Sequence, residues 1–105
     1  MTNMKIDAVE ADGGRVITLS GRFDAFAAPM VDAAIEDNLG PNVEILIDLE
    51  NVNFIDSTGL ATLVQGMKRA RSLSGDLVLC NLNDAVRVIF DLTRLDRAFK
   101  ITARS

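Results

Sequence analysis

The sequence of 105 residues predicts a single α/β domain built on a mixed β-sheet, and three features of its patterning carry that expectation. Val43 to Leu49 is an apolar run rich in the β-branched residues that suit a pleated, buried surface, and it reads as a central strand. Behind it, Asp56-Ser57-Thr58 places three N-cap residue types in a row, and Leu60, Leu63, Val64, Met67 and Ala70 follow at helical spacing. Near the start, Asp12-Gly13-Gly14 is a strong turn signal between two strand-like runs. A hairpin followed by alternating helices and strands gives the order β-β-α-β-α-β-α-β. Its helical crossovers are expected to be right-handed and to join parallel neighbours.

Met4 to Val9 alternates weakly and forms the first expected strand, and Arg15 to Gly21 forms the second. In the second, Ile17 and Leu19 share one face and Val16, Thr18 and Ser20 the other, which suits a strand with one well-buried face. Gly21 is expected to end it. A helix follows from about Ala28 to Leu39, with Pro29 tolerated because it falls in the first turn and Val31, Ala34, Ile35 and Leu39 as its core stripe. Gly40-Pro41 stops that helix and delivers the chain to the central strand. After a polar break at Glu50 and Asn51, Phe54 and Ile55 are expected to return the chain to the core.

The second helix should run from about Ser57 to Leu73, showing Thr62, Gln65, Lys68, Arg69 and Arg71 to solvent, with its cations toward the favourable C-terminal end. Ser74-Gly75 closes it. Asp76 to Cys80 is the next strand, and Asn83-Asp84 caps a third helix in which Val86, Ile89 and Phe90 recur at helical spacing. Beyond a turn around Thr93 to Asp96, Phe99 and Ile101 suggest a short last strand.

Composition narrows the function. A chain with 49% hydrophobic and 25% charged residues is ordinary for a globular protein, and folding should need neither metal nor disulfide. Its net charge of −4, without a Lys/Arg cluster to override it, sets a repulsive field before nucleic acid or an anionic membrane, so neither is an expected partner. No basic and apolar leader and no long apolar run is present, which reads as a cytoplasmic protein. The lone Cys80 lies in an apolar run and is expected in the core.

With no histidine, Ser-His and Cys-His catalysis and histidine-bearing zinc sites are excluded. G-x-S-x-G is absent, and Ser57-Thr58-Gly59 lacks the second glycine and the lysine of a phosphate-cradling loop. No catalytic residue, metal or cofactor is expected, and a small phosphatase or nucleotide hydrolase is opposed by the missing bases and ligands. Asp56-Ser57-Thr58 can be read as a helix cap and nothing more, worth about 1 kcal/mol. One capping side chain is enough, however, so a hydroxyl is left over at a helix N-terminus, where a negative group is favoured. Asp24 has the same two readings, as the opener of the helix that follows or as part of a surface.

FIDSTGL after an apolar strand, with an upstream G-x-x-D at Gly21 to Asp24, resembles the STAS-domain anti-sigma factor antagonists. The likeness extends through LENVNFIDSTGLATLV and through GDLVLCNLNDAVRVIFDLTRLDRAFKI, nearly the whole chain. It implies a non-enzymatic partner switch: the dephosphorylated protein binds an anti-sigma factor that is also a serine kinase, phosphorylation releases it, and a phosphoserine phosphatase resets it. In the family the modified serine directly follows the aspartate of the D-S-x-G-L motif, which matches Ser57, and the two motif aspartates match Asp56 and Asp24. Asp24, Asp56, Ser57, Thr58 and Gly59 are the candidate partner-binding set, with Gly59 allowing close approach. The resemblance leaves open a STAS module acting on another target, such as a signalling enzyme, a stress complex or a transporter. Two departures stand out. Phe99 to Ser105 leaves no room for the C-terminal helix that relatives commonly carry, and Arg94 replaces a common glycine.

Overall fold

Residues 4–103 are described by a computed structural model, and in it the apolar run lies at the centre of the sheet. The elements are β1 (Lys5–Ala11), β2 (Gly14–Phe23), α1 (Ala28–Asn38), β3 (Glu44–Ile55), α2 (Ser57–Ser72), β4 (Asp76–Cys80), α3 (Asp84–Thr93), a 3₁₀ turn (Leu95–Arg97) and β5 (Ile101–Thr102). Strand order is β1-β2-β3-β4-β5, with β1 antiparallel to β2 and every later pair parallel. The expected order and mixed sheet are therefore present, with a 3₁₀ turn added.

Laying parallel neighbours side by side in chain order, with right-handed crossovers, sends each helix to the same face of the sheet. The core agrees: Ile17, Leu19, Ile45, Ile47, Leu77 and Leu79 from alternate strand positions cluster with Val31 and Ile35 of α1, Leu63 and Met67 of α2, and Val86 and Phe90 of α3. Phe99 closes this layer edge-on against Phe90, with ring centroids 5.8 Å apart. Among the described residues no helix is long and apolar enough to cross a membrane, and none follows β5.

Five expectations need correction. β3 does not stop at Leu49 but continues to Ile55, because the irregular backbone at its middle finds other partners. Its pairing with β2 slips between Thr18↔Asp48 and Ser20↔Asn51, a bulge whose carbonyls at Leu49, Glu50 and Val52 accept from the side-chain amide of Asn83 at 3.3, 3.0 and 2.7 Å. β2 likewise continues past Gly21, which takes φ 107° at a second register shift that a side chain would strain. These shifts turn Phe54 out of the core, where it was expected, leaving it exposed. Finally, Thr62 and Arg69 are not simply solvent-facing: Thr62 is buried and donates its hydroxyl to the Thr58 carbonyl at 2.9 Å, while Arg69 pairs with Asp32 and Glu36 of α1. Phe99 belongs to the core rather than to the last strand.

Candidate functional site

The candidate site forms where β2 and β3 end side by side. The carbonyl of Phe23, last residue of β2, accepts from the Asp56 N–H at 3.2 Å, so the two parallel strands deliver Asp24 and Asp56 to one edge of the sheet. The two motifs, far apart in sequence, are thereby brought together.

Asp56 is the residue that caps α2. Its backbone is extended, and its Oδ1 accepts from the Gly59 N–H at 2.9 Å, while its carbonyl receives the Leu60 N–H at 3.0 Å. Ser57 and Thr58 thus occupy the first two helical positions, and both are exposed. Among the described residues no hydrogen bond engages either hydroxyl, and the amides of Ser57 and Thr58 have no acceptor. No acidic residue lies in the first helical turn, so an anion there meets unpaired N–H groups and the positive end of the helix dipole, with the capping Asp56 carboxylate as the like charge beside it.

Gly59 is buried rather than presented. A Cβ there would lie 2.9 Å from Ile55 Cγ1, 2.9 Å from the Phe23 carbonyl oxygen and 3.1 Å from Phe23 Cδ1. Its requirement comes from close packing of α2 on the ends of β2 and β3. Its N–H donates to the Asp56 cap.

Asp24 heads the turn between β2 and α1. One carboxylate oxygen accepts from the N–H groups of Phe26 and Ala27, each at 3.1 Å, and the other faces Arg22 Nε at 3.2 Å. Partial burial raises the pKa of this carboxyl, but the N–H of Ala27, that of Phe26 and the Arg22 guanidinium outweigh it and hold the group below its ordinary value. Asp24 is therefore a structural anchor of the turn, although α1 itself begins later, after Ala27, with no side-chain cap.

Three residues of this edge were not singled out from the sequence as surface groups. Arg22 lies with its guanidinium carbon 3.7 Å from the centre of the Phe54 ring, and Phe26 is 72% exposed. Phe26 stands in the turn before α1, outside the core stripe of that helix. Arg22 and Phe54 meet because they pair across β2 and β3, a register decided by the bulge. Among the described residues no group of three or more His, Cys, Asp or Glu could hold a metal ion.

Comparison with known proteins extends this picture. Residues 5–105 match the STAS domain family profile. The anti-sigma-B factor antagonist of Listeria monocytogenes is 34% identical over 101 residues, covering 94% of this chain and 89% of that protein. A crystal structure of an anti-sigma factor antagonist from Mycobacterium paratuberculosis superposes with a TM-score of 0.84 at 28% identity, covering 94% of this chain and 85% of that one. SpoIIAA in its unphosphorylated form shares the fold, with a TM-score of 0.78 at 21% identity over 96% of this chain and 89% of that one.

Proposed function

The chain belongs to the STAS domain family, and from that premise we propose that it is an anti-sigma factor antagonist switched by phosphorylation of Ser57. It acts in the cytoplasm and without catalysis of its own. Dephosphorylated, it binds an anti-sigma factor that is a serine kinase, and so frees a sigma factor. Phosphorylated, it lets go until a phosphoserine phosphatase restores it. The observation that supports this reading most is the division of labour at the start of α2: Asp56 does the capping, and Ser57 is left exposed with an unbonded hydroxyl.

The physics of release follows from the charge. A phosphoserine adds about −1.5 to −2 at a surface that must be desolvated on contact, and any acidic group facing it turns that charge against binding. The same charge is welcome at the helix N-terminus of its own chain. Dissociation therefore does not require unfolding. Asp56 has a second part here, because its cap holds the first turn, and with it Ser57, in one geometry.

The test is a pull-down from the source cell with intact protein and Ser57→Ala, then incubation of the intact protein with the purified retained kinase and ATP, with peptide mapping. Phosphate on Ser57 alone is the expected result. Phosphate only on Thr58, or no kinase acting on the chain, refutes the proposal. Ser57→Ala should stay within about 0.5 kcal/mol of the parent in stability, as an exposed residue outside the cap. Asp56→Ala should lose about 1 kcal/mol.

A further inference from the structure

The chain has five phenylalanines and no tryptophan or tyrosine, and the distribution of those five is uneven. Phe23, Phe90 and Phe99 are buried, at 0%, 0% and 5% exposure. The other two, Phe26 at 72% and Phe54 at 36%, are exposed, and both lie at the edge where Ser57 is presented. Met30, in the first turn of α1, is also exposed, at 42%. The exposed aromatic surface of the described residues is thus gathered at one place.

Resting on the reading that a kinase acts on Ser57, we infer that Phe26 and Phe54, with Arg22 lying on Phe54, are the anchors by which that kinase holds this protein. Size fixes the occupant. A stable protein interface buries about 800 Å² per partner, a disc of about 16 Å radius, and an enzyme that reaches Ser57 must cover ground centred on it. Phe54 is three residues before Ser57. Phe26 is three residues beyond Phe23, whose carbonyl bonds Asp56 at 3.2 Å, and the intervening turn is closed by Ala27 N–H to the Asp24 carbonyl at 3.1 Å. Both residues are therefore near enough along the backbone for such a footprint, which spans most of one side of a domain measuring 31 × 30 × 26 Å, to reach them.

The chemistry fits an anchor role. Exposed aromatic side chains bury large area for little loss of rotamer freedom, and aromatic and arginine residues dominate the energetics of interfaces. Arg22 is weakly hydrated at its guanidinium face, lies on Phe54 and is tethered by Asp24, so that the three groups are already ordered before contact. Asp24 then contributes to the partner surface indirectly, by fixing the Phe26 backbone and the Arg22 side chain. The facing surface on the kinase is expected to be an apolar recess beside the nucleotide site, rimmed by acceptors for Arg22.

The experiment uses the full chain and the purified kinase that phosphorylates Ser57, with ATP omitted for binding. Phe26→Ala and Phe54→Ala are each compared with the parent, and Leu92→Ala, which removes a 79% exposed leucine on α3, is the control. Weakening by about thirtyfold in at least one phenylalanine variant is expected, with unchanged melting temperature and an unchanged Leu92→Ala control. Parent-like affinity in both phenylalanine variants overturns the inference and leaves the phosphorylation of Ser57 standing. Equal weakening by Leu92→Ala, or a parent dimer that Phe26→Ala dissociates in sedimentation, overturns it too, the latter by assigning the patch to a second copy. If no kinase acts on Ser57, the reading and the inference fall together.

Discussion

The hydrogen bond from the Gly59 N–H to Asp56 Oδ1 separates three adjacent polar side chains into one that caps and two that are free. Gly59 itself is held by space, since a methyl there meets a backbone oxygen at 2.9 Å that cannot swing away. Gly59→Ala is therefore expected to lose about 1–3 kcal/mol, read from urea unfolding, with no gain from relief of glycine's backbone entropy. A variant as stable as the parent would show that α2 can shift to make room. Asp24 makes a different prediction. Its carboxyl titrates lower in the folded chain than in the unfolded one, so its charged form stabilises the fold; that contribution is whole above the ordinary value of 3.8 and is lost as pH falls through the lower folded value. Asp24→Asn removes this titration. In urea unfolding across pH 2–6, intact protein should lose more stability than the variant toward the acid end. Parallel curves would place the acid sensitivity elsewhere.

Among the elements, β3 is the one whose form depends most on a distant residue. Its bulge leaves carbonyls without ladder partners, and Asn83 takes three of them while its Oδ1 accepts from the Val86 N–H at 3.0 Å to cap α3. One side chain thus ties the middle of β3 to the start of α3. Asn83→Ala loses the cap and leaves two part-buried carbonyls without this donor, at about 2 kcal/mol in thermal or urea unfolding. Asn83→Asp keeps the cap but cannot donate to carbonyls, so it should lose most of that stability as well. If Asn83→Asp matches the parent, the bulge does not depend on this side chain. α1 and α2 are joined in a comparable way by Arg69 with Asp32 and Glu36, an exposed network whose contribution salt will reduce.

Taken whole, the domain places all three helices on one face of the sheet and its candidate site at the end of two parallel strands, outside the core. Function at that edge can therefore change without the core changing. Phosphorylation of Ser57 should leave the folded structure intact, and melting should be unchanged or slightly raised by the favourable helix end. This is measured by comparing thermal unfolding and amide spectra of the phosphorylated and unmodified chains. Broad spectral change or a large fall in melting temperature would mean that the switch works through the fold. The chain already carries a net charge of −4, so each phosphate also raises its repulsion from acidic partner surfaces.

The element order, the buried faces of β2 and β4, the core stripe of α1 and the start of α2 at Ser57 were legible in the sequence because each rests on contacts a few residues apart: a period of two or 3.6, a cap, a glycine after a helix. The family motif placed Ser57 and Asp24 on one surface only by resemblance. That Asp56 rather than Ser57 caps, that Gly59 is buried, and that Phe54 faces outward under Arg22 were not legible. Those outcomes depend on register between strands separated by about 30 residues and on a bulge stabilised by Asn83, and a shift of one position reverses which face a strand residue shows. Local pattern names the elements, whereas the register of distant backbones selects which side chains the edge beside Ser57 exposes.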